Sequence, residues 1–371
     1  MKDFRDFNTF EMKAILRAAP RRMPVTGSME LLPLCNMNCD MCYVRLSRRE
    51  MEEKGRMRTG AEWLALGREM AKAGVLYLQL TGGEPLLHPD FKEIYLGLRK
   101  LGMILTVNTN ATLIDEEWAA FFGKYKPRGM HVTLYGTDNA TYERLCHYPG
   151  GFDRVTQAVR LLRQNEITVR LGFSMTPENV RDLDKLYEIA KGLDVVVQAD
   201  TYMLPAVRER SLPFNRQSRL EPEAAAAAFV RSMRIEKGAE EFAGYRGRML
   251  ALVDAFVPGE KQPCAGECLA AKCSCSINWQ GVMRPCVIST EPAAHAFDDG
   301  FEDAWKKVVA GFDAIRFSAD CSVCRLRPLC PVCPVSTLIE TGNYMDRPEY
   351  LCRYTGEIER LLRAYQEEEH E

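Results

Sequence analysis

The chain has 371 residues, enough to bury a substantial core and to form two domains, and its 46% hydrophobic content excludes a disordered chain. With 49 Lys and Arg against 51 Asp and Glu, the formal net charge is −2, which gives no global basic field and excludes nucleic acid as the main partner. No apolar run reaches the length of a membrane span, and Met1 to Arg22 lacks the uninterrupted apolar core of a secretion signal, so the expectation is a cytoplasmic protein with no membrane partner.

Residues 1–27 read as an N-terminal helical segment, with Phe4, Phe7, Phe10, Ile15 and Leu16 spaced for one face of a short helix packed on the body. From 28 to 203, short β-rich runs alternate with amphipathic stretches, the mark of parallel βα units. The predicted strands are Met29 to Pro33, Val75 to Leu80, Met103 to Asn108, Met130 to Tyr135, Thr168 to Ser174 and Val195 to Thr201. The predicted helices are Ala61 to Lys72, Asp90 to Lys100, Asp115 to Tyr125, Phe152 to Gln164 and Val180 to Lys191. Six such units predict an α/β fold, a partial TIM-like (β/α)6 barrel open along one side, because eight units would need more chain. Residues 204–262 lose the strand signal and carry a helix-forming run from Glu223 to Phe229, which reads as a bridge. A cysteine-rich domain follows over 263–355, then a C-terminal helix and acidic tail over 356–371, frayed at Glu367 to Glu371.

The fourteen cysteines point to metal binding, because reducing cytosol does not keep a disulfide framework. Cys146 stands apart and reads as a small buried side chain. Cys35, Cys39 and Cys42 fall within eight residues after the first predicted strand, at the barrel end where reactive groups gather. Three thiols leave one metal position open, whereas a structural site usually closes with four protein ligands; a zinc loop with its fourth ligand elsewhere is the bland alternative. The Cys-x3-Cys-x2-Cys spacing resembles the signature of the radical S-adenosylmethionine (SAM) superfamily. The resemblance implies that these thiolates hold three irons of a 4Fe-4S cluster, that SAM chelates the fourth iron, and that Met41 lies against the adenine.

Further strand ends are similar to the same family. Gly82, Gly83 and Glu84 resemble its Gly-Gly-Glu-Pro turn, whose backbone accepts the SAM amino group while the glutamate supports the loop. Asn108 and Asn110 sit in a stretch similar to its Thr-Asn-Gly turn, with Ala111 where glycine is usual. Thr133 to Gly136 resembles its Ser-Leu-Asp-Gly segment, so Thr133 is expected at the SAM ribose or carboxylate. Asp200 ends the sixth strand, either facing substrate or serving as a cap.

The second cysteine territory matches the SPASM extension of that superfamily. Cys268, Gly281 and Cys286 have the spacing that opens it, and Cys321, Cys324, Cys330, Cys333 and Cys352 resemble the run that completes it, with one residue fewer before Cys333. The implied ligation puts one 4Fe-4S cluster on Cys264, Cys268, Cys286 and Cys333 and another on Cys321, Cys324, Cys330 and Cys352. Cys273 and Cys275 compete for the place of Cys264, and two zinc sites are the reading of the Cys-x2-Cys pairs taken alone.

The resemblance implies an oxidoreductase that cleaves SAM to a 5'-deoxyadenosyl radical and takes hydrogen from a peptide or protein, crosslinking or otherwise maturing a ribosomally synthesised peptide. Its alternatives within the superfamily are a formylglycine-generating sulfatase maturase and a small-molecule alcohol or sugar dehydrogenase. Three clusters and SAM are the expected cofactors, with an external low-potential electron donor. About thirty residues precede the first predicted strand, too few for a leader-gripping winged helix, so the expectation is a separate recognition protein or direct docking of a short peptide.

Overall fold

The computed structural model describes residues 9–205, 208–209 and 219–365. Six strands, β1 (Thr26–Glu30), β2 (Tyr77–Thr81), β3 (Ile104–Thr109), β4 (Gly129–Thr133), β5 (Val169–Ser174) and β6 (Val196–Asp200), pair in parallel and in chain order, as the alternating pattern predicts. Their inward residues, such as Leu78, Leu80, Leu105 and Val107, are buried at every second position. The covering helices bury one stripe each: Phe91, Ile94, Tyr95 and Leu98 line the inner face of Phe91–Lys100 at helical spacing. Their ends follow from local chemistry. Thr59 and Glu62 form a capping box at the start of Gly60–Ala73, and Gly74, at φ 111°, stops that helix.

The sheet does not close on itself. Beyond β1 it continues with β7 (Ser274–Ile277), parallel to β1, and then with antiparallel β8 (Val282–Arg284) and β9 (Ala294–His295). The cysteine-rich part is therefore hydrogen-bonded into the barrel sheet, with Ser28 Oγ and Ser276 Oγ 2.8 Å apart in the seam. The bridge helix Pro222–Asp254, broken at Gly238 (φ 71°), packs along the last helix, Glu349–Ala364. Among the described residues no helix is long and apolar enough to cross a membrane.

Several boundaries move. The first strand lies three residues earlier than predicted: Leu31 and Leu32 are fully buried like strand residues, but their backbone is stitched to the turn after β2. The 27/28 boundary therefore cuts β1, and the 355/356 boundary cuts the last helix, which carries Cys352. The N-terminal helix is Thr9–Ala18, and its inner face is Ile15 and Ala18, seated on Val25 and Cys273. Phe10 and Leu16 point to solvent, 81% and 54% exposed, contrary to the predicted face. Phe4, Phe7 and the acidic tail lie outside the described residues.

Trp279, fully buried, joins Leu46 and Met51 in a small core that ties the chain just after the cysteine triplet to the turn between β7 and β8. Trp279→Ala is expected to cost about 3–5 kcal/mol of stability, read as a lowered urea midpoint.

Candidate active site

The loop after β1 carries the three thiols and is held from two sides. On one side Leu31 N donates to Thr81 O (2.9 Å), Gly83 N to Leu32 O (2.8 Å) and Glu84 N to Leu34 O (2.9 Å). Glycine is required here: a Cβ on Gly82, whose φ is 146°, would come 2.5 Å from the Leu32 carbonyl oxygen, and one on Gly83 would come 2.3 Å from that of Leu34. On the other side Asn38 N donates to Cys146 O and Asp40 N to Leu145 O, both at 3.0 Å.

Glu84 lies fully buried beneath this turn and acts as its knot. Its carboxylate accepts from Leu86 N (3.0 Å), Thr109 Oγ1 (2.9 Å) and Asn110 N (2.8 Å), which fastens the β2 turn to the β3 turn. Burial pushes its carboxyl up to about 7, against those three donors, which favour the charged form. Asn110 Nδ2 in turn reaches Asn36 Oδ1 (2.9 Å) and Cys35 Sγ (3.5 Å), so the third strand end also steadies the thiol loop. Ala111 adopts φ 59°, the left-handed conformation that the usual glycine would take without strain.

These strand ends surround a cavity of about 390 Å³. Cys35, Cys39, Cys42, Met41, Gly82, Gly83, Asn108, Asn110 and Thr133 all line it, so every residue expected at SAM reaches one space except Glu84, which supports it from below. Asp200 lines it too, with Tyr135, Tyr202, Met203 and Arg208. The last three had no local signal, because they reach the cavity only through the path of the chain after β6. Arg208 is locked by Glu30 (2.7 Å to each oxygen) and Glu209 (2.9 Å), all three side chains being buried. Burial pushes Cys35 up to about 12. The Cys146 thiol beside it, together with burial, raises Cys39. These thiols ionise on taking a metal, releasing their protons.

In the cysteine-rich part, Cys273 and Cys275 are core residues. Cys273 O accepts from Val25 N and Thr26 N, and Cys275 sits on β7 opposite Gly27, both thiols buried. Cys268, Cys286 and Cys333 influence one another electrostatically, as do Cys321, Cys324, Cys330 and Cys352. Cys264 exchanges two backbone hydrogen bonds of 2.9 Å with Phe317, Lys261 pairs with Asp320, and Gln262 N meets Ser322 Oγ at 3.2 Å. Those contacts seat Cys264 beside Cys321, whereas the ligation implied by the family resemblance groups it with Cys268.

Residues 29–190 match the radical SAM superfamily. An AdoMet-dependent heme synthase of Methanosarcina barkeri is 24% identical over 346 residues, 88% of this chain and 95% of its own length. A PqqA peptide cyclase of Gluconobacter oxydans is 28% identical over 170 residues, 46% of this chain and 47% of its own, so the chain spans about half of that relative. The crystal structure of Streptococcus suis SuiB bound to precursor peptide SuiA shares the fold with a TM-score of 0.66 at 16% identity, over 93% of this chain and 81% of SuiB.

That superfamily uses a 4Fe-4S cluster and SAM, and the residues here fit both. A cluster offers a separate iron to each thiolate; the three thiols line one cavity with the Gly82–Gly83 backbone. Among the described residues no three ligating side chains converge on one metal-ion position, and a site that spreads its ligands over three irons does not need them to.

Gly83→Ala must push the thiol loop off the turn, and a displacement on the order of 1 Å is expected to lower turnover about a hundredfold, measured as 5'-deoxyadenosine released per chain. Glu84 gives a pH test. Its folded-state carboxyl binds a proton more tightly than the unfolded chain, so the stability it contributes is full below its ordinary value of 4.5 and drains away as pH rises through 7. Relative to Glu84→Gln, which cannot ionise, the wild type should lose up to about 3 kcal/mol between pH 4 and pH 8 in urea titrations.

Proposed function

From the premise that residues 29–190 are a radical SAM domain, we propose that this chain takes hydrogen from a peptide or protein substrate and crosslinks or otherwise matures a ribosomally synthesised peptide. One observation carries the catalytic half of the reading: Cys35, Cys39 and Cys42 face the Gly82–Gly83 backbone across a single cavity. When bound, the cluster and SAM supply reductive cleavage of a sulfonium and a carbon radical able to attack an unactivated C–H bond.

The chain's own residues do the positioning. The Gly82–Gly83 backbone would receive the SAM amino group, Asn108, Asn110 and Thr133 would take its sugar and carboxylate, and Met41 would pack on the adenine; all of them line the one cavity. The buried walls exclude water and stray hydrogen donors. Asp200 faces the same space and can accept a proton that leaves the substrate. Cys268, Cys286 and Cys333 would hold one auxiliary cluster, with Cys264 as the fourth ligand of the implied set although it sits beside Cys321, and Cys321, Cys324, Cys330 and Cys352 would hold another. Clusters held by those thiols would take or relay the one electron the substrate gives up. The electron that starts each cycle comes from an external low-potential donor, and a separate recognition protein or direct docking brings the peptide. The reducing cytoplasm is the compartment that suits these thiols.

Peptide substrates are favoured by the relatives named for peptides. The heme synthase likeness spans nearly the whole chain and supports a second reading, a tetrapyrrole substrate.

Anaerobically reconstituted protein should hold about twelve irons per chain, three clusters of four, and release 5'-deoxyadenosine with SAM and dithionite, while Cys39→Ala releases none. Mass spectrometry of a precursor peptide after coexpression should show loss of two hydrogens. Turnover in the Cys39 variant would overturn the catalytic reading, and modification of a tetrapyrrole with no peptide product would overturn the substrate.

A further inference from the structure

The segment that follows β6 lines the cavity with Tyr202, Met203, Leu204 and Pro205, and Ile288 joins them from the cysteine-rich part. All five are apolar or aromatic. None belongs to the set expected at SAM, so this wall is left to face the substrate.

Tyr202 is fastened at its hydroxyl and packed on its ring. Its O–H donates to Glu340 Oε1 (2.7 Å), and Glu340 takes both terminal nitrogens of Arg219, at 2.5 and 3.0 Å, with the two side chains 6% and 17% exposed. Glu340 and Arg219 lie outside the cavity lining, so the hydroxyl is turned away and the ring is what the cavity meets. Behind it stand Tyr350 and Tyr354 of the last helix, their ring centroids 5.6 and 5.9 Å from that of Tyr202. The Arg219 guanidinium lies 3.3 Å from the centroid of the Tyr350 ring, and Tyr350 Oη donates to Leu220 O (2.6 Å). Glu340 itself rides on the helix Pro334–Thr341, which starts from Cys333 as its N-cap. The cysteine-rich part thus holds a ring of the barrel wall through a buried bidentate pair, an arrangement that fixes geometry more than it adds stability.

We propose that Tyr202 is a specificity-determining residue: its ring, held in place by Glu340 and Arg219, selects a peptide whose reacting residue carries an aromatic or long apolar side chain. This rests on the peptide reading above and names the class of peptide. A ring whose polar tip is already satisfied offers apolar surface and ring contacts, worth most to a second ring. A charged side chain pressed on the same wall would lose its water and gain no partner there. Because the ring is fixed before substrate arrives, little ordering cost falls on binding. Arg208 also lines the cavity but is engaged by Glu30 and Glu209, whereas Asp200 presents an acid to it; if that acid governed selection, the captured peptides would carry Lys or Arg instead.

The test is affinity selection by reconstituted full-length protein from a synthetic pool of short randomised peptides, with SAM present and no reductant, the captured sequences being read by mass spectrometry. The wild type should enrich peptides carrying Phe or Tyr most, then Leu or Met, over those carrying Asp, Lys or Ser. Tyr202→Ala should lower that enrichment about tenfold, while Tyr202→Phe, which keeps the ring and leaves the Glu340–Arg219 pair, should retain it. In turnover of a captured peptide the loss in Tyr202→Ala should fall on KM and not on kcat. Enrichment that survives Tyr202→Ala overturns the proposal, as does a wild-type preference for Lys and Arg. Should Tyr202→Ala fail to fold, Tyr202→Leu decides: it should lose the excess of Phe and Tyr over Leu, and an unchanged excess overturns the proposal. Failure of the peptide reading shows separately, as a wild type that captures no peptide at all.

Discussion

The close passage of two backbones, Leu31 to Leu34 against Gly82 to Glu84, is the constraint on which the site depends. Two hydrogen bonds of 2.8 and 2.9 Å join them, with a third from Leu31 N to Thr81 O at 2.9 Å, at a separation that leaves no room for a Cβ. This contact carries the thiol loop off β1 and over the end of β2, where Glu84 ties it to the β3 turn. A carboxylate is buried to make that knot, a costly choice that three donors offset. The result is a rigid rim on which the sulfur positions are set by main-chain geometry.

The same economy extends to the rest of the molecule. β7 lies beside β1, so the cysteine-rich part is built onto the strand that launches the thiol loop. Arg208, Glu30 and Glu209 pin the segment after β6 to β1 across the cavity, a buried ion group whose value lies in fixing the arrangement more than in stability. Trp279 packs under the chain that leaves the triplet. Barrel, bridge and cysteine-rich part thus meet at β1, and a disturbance of any of them reaches the site.

Much of this was legible in the residues. Strand and helix periods located all six βα units, because alternate burial leaves a clear mark where one face meets a core. The cysteine spacing and the glycine pair marked the rim, since both are local demands of backbone and ligand. What stayed hidden was set by distance along the chain. Met29 to Pro33 reads as one strand because burial, not pairing, is what its side chains report. Phe10 and Leu16 kept the spacing of an inner face, yet the helix buries Ile15 and Ala18. Cys273 and Cys275 carry the same letter as the other cysteines, and their place against the N-terminal helix and on β7 had no mark in the sequence. Cys146 and Arg208 meet the site from segments with no motif of their own.

The central claim is that the cavity beside Cys35, Cys39 and Cys42 seats SAM directly on the iron those thiols leave without a protein ligand. Pulsed electron–nuclear double resonance on the reduced protein, with SAM labelled at its amino nitrogen and carboxylate oxygen, tests it most directly. The account requires hyperfine coupling of both labels to the cluster spin, lost when Gly83 is replaced by alanine. Cluster spectra without such coupling would contradict it.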